Sequence, residues 1–332
     1  MPPSAKPRGC DRHRDFERGT GGTPALHPTL SNDVKLFVAV FDQAETGSQT
    51  AVVPGTWRAS AEDPRPDFEG SQLRWSPKAG DALLMNIHTW HGVLAPSAPA
   101  PFTPTERCGL IVQCAASNRK RVGSLTSSAE RLAAAAEAGA ISPLSPVARQ
   151  LLGIEMLPEL QHRPGGFDPP ATLDPEPWAP ADVPHPMLSP TASQEDCVAR
   201  FRECGVVVIP GLIPAPLLER LQHIFHQLKR AHPPSTASFF DLPRASLIEH
   251  EDPVICTNIS GTWAMLDAFQ IIITDDLKRN VDAGQAFLEL LELPRMLALL
   301  TELIGGDVQG VDVQARTVRA AHPDAADGYT IW

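Results

Sequence analysis

Apolar and polar positions divide this chain into two halves with different periodicities. Four short apolar segments between residues 30 and 120 have the alternating or continuous hydrophobicity of β-strands: VKLFVAVFD (34–42), TAVVPGTWR (50–58), GDALLMNIHTWHGV (80–93) and RCGLIVQCA (107–115). Turn residues separate these segments, and short strands at such spacing are typical of a β-sandwich or barrel. The first half of the chain is therefore predicted to be rich in strands.

The second half is predicted to be mostly helical. Ser193 followed by Asp196 is a capping-box pattern, and Gly205 is a typical helix stop. Strands are predicted at 206–213 and at 307–320, where apolar residues run together or alternate. Helical periodicity or capping signals mark four segments: 127–139, 193–205, 214–231 and 286–306.

A proline-rich segment separates the two halves. The chain has 34 prolines in 332 residues, and ten of them lie between Pro158 and Pro190. That stretch has neither helical nor strand periodicity and is typical of an extended linker. The predicted class is α+β, with a strand-rich part at 1–120, a helical extension at 121–157, a linker at 158–192 and a mostly helical part at 193–332.

Charge and cysteine content narrow the choice of partners and compartment. The net charge of −11, from 28 basic and 39 acidic residues, argues against nucleic acid or an anionic membrane as the main partner. No apolar run has the length of a membrane span, and the first residues lack the apolar core of a signal peptide. Six cysteines without a CxxC pattern favour reduced thiols, so we expect a cytoplasmic protein. Nothing in the sequence predicts the oligomeric state.

Candidate metal ligands lie in the HRD triplet and in the segment TWHGV. In a strand, residues i and i+2 share a face, so His13 and Asp15 can point at one ion. Two histidines and one carboxylate form the facial arrangement of non-haem Fe(II) oxygenases. His91 is the best second histidine, whereas His88, three residues earlier, faces the other way in a regular strand, so we expect only one of them to be a ligand. The alternative for the triplet is a solvated charged turn.

Arg107 is a candidate for binding a carboxylate. It begins a strand, and an arginine inside a barrel suits a bidentate contact to a carboxylate group. The alternative is a surface pairing with Glu106 or Asp81.

These motifs together resemble the phytanoyl-CoA dioxygenase family of Fe(II)/2-oxoglutarate oxygenases, which fold as a double-stranded β-helix (jelly roll, cupin-like). The family's helical first part is similar to FRECGVVVIPGLIPAPLLERL and LLTELIGGDVQGVDVQ…DGYTIW, in the second half of this chain. Its metal-binding second part is similar to HRDF, LFVAVFD, GSQTAVVPGTW, GDALLMNIHTWHG and RCGLIVQ, in the first half. The two parts therefore stand in reversed order here.

The reversed order has two interpretations. The chain is either a circularly permuted domain or a window cut from a tandem array, and the sequence favours the window because YTIW ends in mid-strand. A window predicts halves that barely touch, whereas a permutation predicts that residues 195–332 pack against 30–115.

The resemblance implies that His13, Asp15 and His91 hold Fe(II), that Arg107 binds the cosubstrate 2-oxoglutarate, and that O₂ and a small-molecule or acyl substrate complete the reaction. Gly109 stands where the family's hydroxyl would help to hold 2-oxoglutarate, so that hydroxyl must come from elsewhere. Two alternatives stay open. One is a catalytically inactive binding or structural module, and the other is a jelly roll that binds zinc or manganese through His88, His91 and a thiol.

Overall fold

The computed structural model describes residues 33–43, 49–58, 71–94, 107–116, 133–134, 136–139, 143–151, 183–231, 255–257, 263–265, 286, 289–304 and 308–318. These residues form antiparallel sheets packed against helices, so the predicted α+β class is confirmed.

Strands in the described residues form two antiparallel sheets. They are β1 (Asp33–Ala39), β2 (Gln49–Val52), β3 (Leu73–Trp75), β4 (Ala82–Asn86), β5 (His91–Leu94), β6 (Arg107–Ala116), β7 (Val206–Ile209), β8 (Ile255–Thr257), β9 (Trp263–Met265) and β10 (Val308–Val318). The larger sheet has the order β7-β4-β1-β6-β10-β9-β8, and the smaller sheet has the order β3-β2-β5. The chain therefore crosses from one sheet to the other several times between β1 and β6.

Helices in the described residues are α1 (Pro146–Leu151), α2 (Gln194–Cys204), α3 (Ala215–Ala231) and α4 (Pro294–Ile304). The capping box predicted for α2 is confirmed, because the Ser193 side chain accepts from Asp196 N while Asp196 accepts from Ser193 N. The helical run predicted over 286–306 is interrupted before Pro294: helical residues end at Leu291, and Pro294 begins α4, where the first position requires no N–H donor. Across the part of the chain that the structure describes, no helix combines the length and the apolar character of a membrane crossing.

The larger sheet separates two apolar layers. Along β1, Val34, Leu36 and Val38 pack with helical residues of α2, α3 and α4 on one face. Phe37 and Ala39, which alternate with them, pack on the other face, toward the smaller sheet. The result is a layer of helices, a central sheet and a smaller sheet. We call the apolar space between the two sheets the inter-sheet layer, and its buried members include Phe37, Val52, Trp75, Met85 and Ile111.

The two halves of the chain share the larger sheet. Strand β7 pairs with β4 from Val206↔Met85 to Ile209↔Ala82, and β10 pairs along the whole length of β6. Hydrogen bonds outside the ladders add to this contact, including those from Gly211 N to Asp81 Oδ1 (2.9 Å) and from Ile213 N to Gly80 O (3.0 Å). This is the packing expected of a permuted domain. The origin of the chain order itself stays a prediction.

The end of the linker region runs beside β7. Met187 forms a parallel bridge with Val208, Val208 N donates to Pro186 O (3.0 Å), and Leu188 N donates to Val208 O (3.1 Å). These bonds use the side of β7 that faces away from β4, at the end of the larger sheet. The last part of the proline-rich linker is thus part of the fold.

The turn between α2 and β7 is closely packed against the first half of the chain. Gly205 has φ 69°, and a Cβ added to it would lie 2.2 Å from Trp57 Cδ1. Only a glycine fits there, both for its left-handed backbone and for the nearby indole ring.

Cleavage in the linker should leave the two halves associated. A protease site inserted between Gly165 and Gly166 would yield two pieces joined by the β4–β7 and β6–β10 pairings. We expect the nicked protein to elute as one species in size-exclusion chromatography, and to separate only in denaturant. Separate elution in plain buffer would instead support the window interpretation, in which the halves barely touch.

Substituting Gly205→Ala should lower the free energy of unfolding by about 3 kcal/mol, because it adds both left-handed strain and a clash with Trp57. Gly211→Ala is the matched control. Its φ is 61° but an added Cβ would meet nothing within 4 Å, so we expect about 1 kcal/mol from strain alone. Urea titration measures both, and equal losses would contradict the packing role of Trp57.

Candidate functional site

A turn at residues 87–90 joins the two sheets and carries both candidate histidines. Strand β4 ends at Asn86 in the larger sheet, and β5 begins at His91 in the smaller sheet. The prediction of a single strand through 80–93 is therefore wrong, since a turn at residues 87–89 breaks the run between the two strands. His88 lies in the turn and His91 starts a strand, so the argument from opposite strand faces does not apply to this pair.

His91 is buried and its ring is held by the backbone. Its side chain is 3% exposed, and Nδ1 lies 3.0 Å from the carbonyl oxygen of Thr89. A carbonyl only accepts, so this contact requires a proton on Nδ1. A backbone carbonyl that orients the histidine ring in this way is common behind metal-binding imidazoles. The environment of His91 thus fits that of a metal-binding histidine.

The register of the smaller sheet places His91 on the inter-sheet layer. His91 lies directly opposite Val52, and directly paired residues of antiparallel strands project to the same face. Val52 is fully buried in the inter-sheet layer, together with Trp75. The imidazole is thus presented to the space between the sheets.

The turn that carries the histidines is fixed from several sides. Asn86 Oδ1 accepts from His88 N (2.9 Å), and Thr89 N donates to Asn86 O (2.9 Å). Gly205 O accepts from Asn86 N (2.8 Å) and from Thr89 Oγ1 (3.0 Å). Because Thr89 also supplies the carbonyl for His91, the second half of the chain helps to orient the imidazole of the first half.

The Pro-Gly turn supports the same region. Thr56 Oγ1 donates to Val53 O (2.6 Å) and accepts from Trp90 N (3.0 Å), while Val53 N donates to Trp90 O (2.9 Å). Trp57, the next residue along, lies against Gly205. The turn therefore holds Trp90, the residue before His91, through a buried hydroxyl.

Of the predicted site residues, the structure describes the side chain of His91. His13 and Asp15 lie outside the described residues. Arg107 is the first residue of β6, where its backbone pairs with Val318, but its side chain is outside the described part. Within the ranges that the structure describes, no group of three or more His, Cys, Asp or Glu side chains could hold a metal ion. The ligand set of His13, Asp15 and His91 stays a prediction.

Gly109 has a steric reason to lack a side chain. A Cβ at this position would lie 2.8 Å from Val38 O, closer than ordinary contacts. Strands β1 and β6 approach each other here, with Gly109 opposite Ala39. A hydroxyl-bearing residue two positions after Arg107 would therefore require the backbone to move.

Buried thiols are poor ligands at neutral pH. Burial raises the pKa of Cys114 to about 12, and burial also raises the pKa of Cys204 to about 12. Cys204 instead contacts Pro184 O at 3.3 Å through its Sγ. A metal site of His88, His91 and a thiol thus finds no support among the described cysteines, which are Cys114, Cys197 and Cys204.

Two further polar groups in this layer were not identified from the sequence. Thr50 is 0% exposed and Trp75 is 2% exposed, and within the described part neither Thr50 Oγ1 nor Trp75 Nε1 has a hydrogen-bond partner. The signal available in the sequence was a threonine in the otherwise apolar strand TAVV, but threonine is common in strands, and the pattern alone does not single it out.

Comparison with known proteins gives no match: no family model, no curated protein and no solved structure matches this chain.

Replacing Thr56 with valine should lower the free energy of unfolding by about 2 kcal/mol, because the buried hydroxyl satisfies both Val53 O and Trp90 N. Thr191→Val is the control. Thr191 is exposed and contacts only the Ser189 hydroxyl among the interactions described, so a change within about 0.5 kcal/mol is expected. Thermal unfolding measures both, and a Thr56→Val variant as stable as the control would contradict this role of the hydroxyl.

Proposed function

We propose that this chain folds as a jelly roll and acts as an Fe(II)- and 2-oxoglutarate-dependent dioxygenase that hydroxylates a small-molecule or acyl substrate. The observation that carries the proposal is His91. It is a buried imidazole on the inter-sheet layer, and its Nδ1 lies against the Thr89 carbonyl, a backbone contact that is common behind metal-binding histidines.

The strand connections support the jelly-roll proposal. Strands β1, β4 and β6 lie in the larger sheet, while β2, β3 and β5 lie in the smaller one. The chain therefore alternates between facing sheets, as the connections of a jelly roll require. Strand β10 lies beside β6, so the second half of the chain supplies a strand to the same sandwich.

The residues proposed to hold Fe(II) are His13, Asp15 and His91, two imidazoles and one carboxylate, the donor set that Fe(II) oxygenases use. Arg107 is proposed to bind a carboxylate of 2-oxoglutarate. On strand periodicity we expect residue 107 on the face of Ile111, four positions later, which packs in the inter-sheet layer. When bound, Fe(II) and 2-oxoglutarate supply the activation of O₂, with release of succinate and CO₂ and hydroxylation of a C–H bond.

Residues of this chain orient His91, exclude water from the space beside it and fix the position of its turn. The Thr89 carbonyl accepts from Nδ1 of His91 and so fixes the orientation of the ring. The apolar side chains of the inter-sheet layer, including Phe37, Met85 and Ile111, exclude water from the space that His91 faces. The turn at 87–90, held by Gly205, fixes the position of the imidazole.

Anaerobic addition of Fe(II) and 2-oxoglutarate should produce a weak charge-transfer absorption in the visible. His13→Ala, Asp15→Ala and His91→Ala should each abolish it, because each removes one ligand of the ion. His88→Ala is the matched control, since this neighbouring buried histidine is not a proposed ligand, and it should retain the band. Retention of the band in all three ligand variants would rule out this ligand set.

Turnover separates an enzyme from a silent module of the same fold. The metal-loaded protein should release succinate from 2-oxoglutarate in air even without a primary substrate, and Asp15→Ala should not. A protein that shows the absorption band but releases no succinate would instead be an inactive binding module.

A further inference from the structure

The two halves of the chain meet in a sheet that a second copy of the chain can also complete. The second half contributes β7 and β10 to the larger sheet, where they pair with β4 and β6 of the first half. Along the chain, the described residues of the two halves are separated by 152–182, between Leu151 and Val183. Neither ladder requires that its two strands belong to the same molecule.

The connection between the halves has a long path to cover within one molecule. Helix α1, which ends at Leu151, packs against β10, whereas residues 186–188 lie outside β7. From β10 to the outer side of β7 there are five strand spacings, or roughly 24 Å at about 4.8 Å each. The path also changes faces, because Leu151 packs on the helical face of the sheet and Val183 packs against the inter-sheet layer. A short connection therefore cannot join the halves of one molecule.

The contacts between the halves reach the candidate site. Gly205 O accepts from Asn86 N (2.8 Å) and from Thr89 Oγ1 (3.0 Å), so the second half holds the turn that precedes His91. If the second half came from another copy, the partner's backbone would hold this turn. The candidate site of each copy would then be complete only with a residue of its partner.

The two arrangements make the same contacts and differ in their connectivity. Their relative populations are therefore set by the effective concentration of one half around the other, which for a connecting segment is on the order of millimolar. Below that concentration the one-chain form prevails, and shortening the connection removes its advantage. Conversion between the forms requires the whole β6–β10 ladder to open, from Val308↔Ala116 to Val318↔Arg107, so each form should persist once it has folded.

We infer that the partner which fits the interface between the halves is a second copy of this chain. In this exchanged dimer, β7 and β10 of each copy pair with β4 and β6 of the other. The length of the segment 152–182 decides between the one-chain form and the exchanged dimer. The inference rests on the pairing of the halves and is independent of the proposed function.

Deleting residues 155–182 tests this in the full chain. The three residues left between Leu151 and Val183 span at most about 14 Å, which is less than the path within one molecule. At about 10 µM, well below the effective concentration of the intact connection, the variant should have twice the monomer mass in light scattering. Its near-ultraviolet circular dichroism should match that of the unmodified chain, because Trp57 still packs against Gly205.

The matched control replaces residues 155–182 with a Gly-Ser repeat of equal length, which should stay monomeric at the same concentration. A deletion variant that is monomeric, with the aromatic spectrum of the unmodified chain, would contradict the exchange. A dimer that has lost this spectrum would contradict it too, since the copies would then associate without the native packing.

A second measurement applies even where the deletion variant does not fold. Isotope-labelled and unlabelled chains with a protease site between Gly165 and Gly166 are mixed and refolded from urea at about 1 mM, and the dimer is isolated and cleaved. Native mass spectrometry should then detect complexes of one labelled and one unlabelled half. Monomers of the two kinds, mixed and cleaved in the same way, are the control and should give no such hybrids. Absence of a dimer, or a dimer that yields no hybrids, would overturn the inference.

Discussion

The carbonyl of Gly205 is the contact on which the candidate site most depends. It accepts from Asn86 N and from Thr89 Oγ1, while the preceding carbonyl of Cys204 accepts from Gly55 N (2.7 Å). These bonds join the α2–β7 turn to the turn before β5 and to the Pro-Gly turn after β2. A glycine is required at the centre because the indole of Trp57 fills the space that a Cβ would need. Backbone geometry in the second half of the chain therefore determines where a histidine of the first half points.

The two halves of the chain also pack together in the larger sheet, although they stand in reversed order compared with the family they resemble. The larger sheet alternates its contributors, with β7 and β10 on either side of the strands β4, β1 and β6. Its helical face buries α2 against β7 and α4 against β1, and the Gln222 amide of α3 donates to Val40 O (2.9 Å). Helices α2, α3 and α4 come from the second half of the chain and the strands β4, β1 and β6 from the first, so the two halves cover this apolar sheet face together.

Periodicity predicted much of the fold. The strands at 34–42 and 107–115 and the capped helix at 193–205 were predicted correctly, because burial on both faces or a capping box leaves a strong local signal. Strands β3, β8 and β9 were missed because three-residue strands carry no period. The break between β4 and β5 was missed because Ile87 and Trp90 keep the run apolar, although the chain changes sheets there.

The candidate site was predictable only in part. His91 was chosen from its motif, and its burial and inward register agree with that choice, but the carbonyl that fixes its tautomer depends on turn geometry. Thr50 and Trp75 could not be paired from the sequence, because they lie on separate strands whose register is set by tertiary structure.

The last residues of the proline-rich linker also have a consequence for solubility. An uncovered sheet margin offers a row of free peptide groups to any other extended chain, which is a common route to aggregation. The 186–188 backbone occupies the outer side of β7 through Val208, so that margin is already taken. The linker thus protects the protein from aggregating through β7. Deleting the linker residues that pair with Val208 would expose the unpaired backbone of this edge strand.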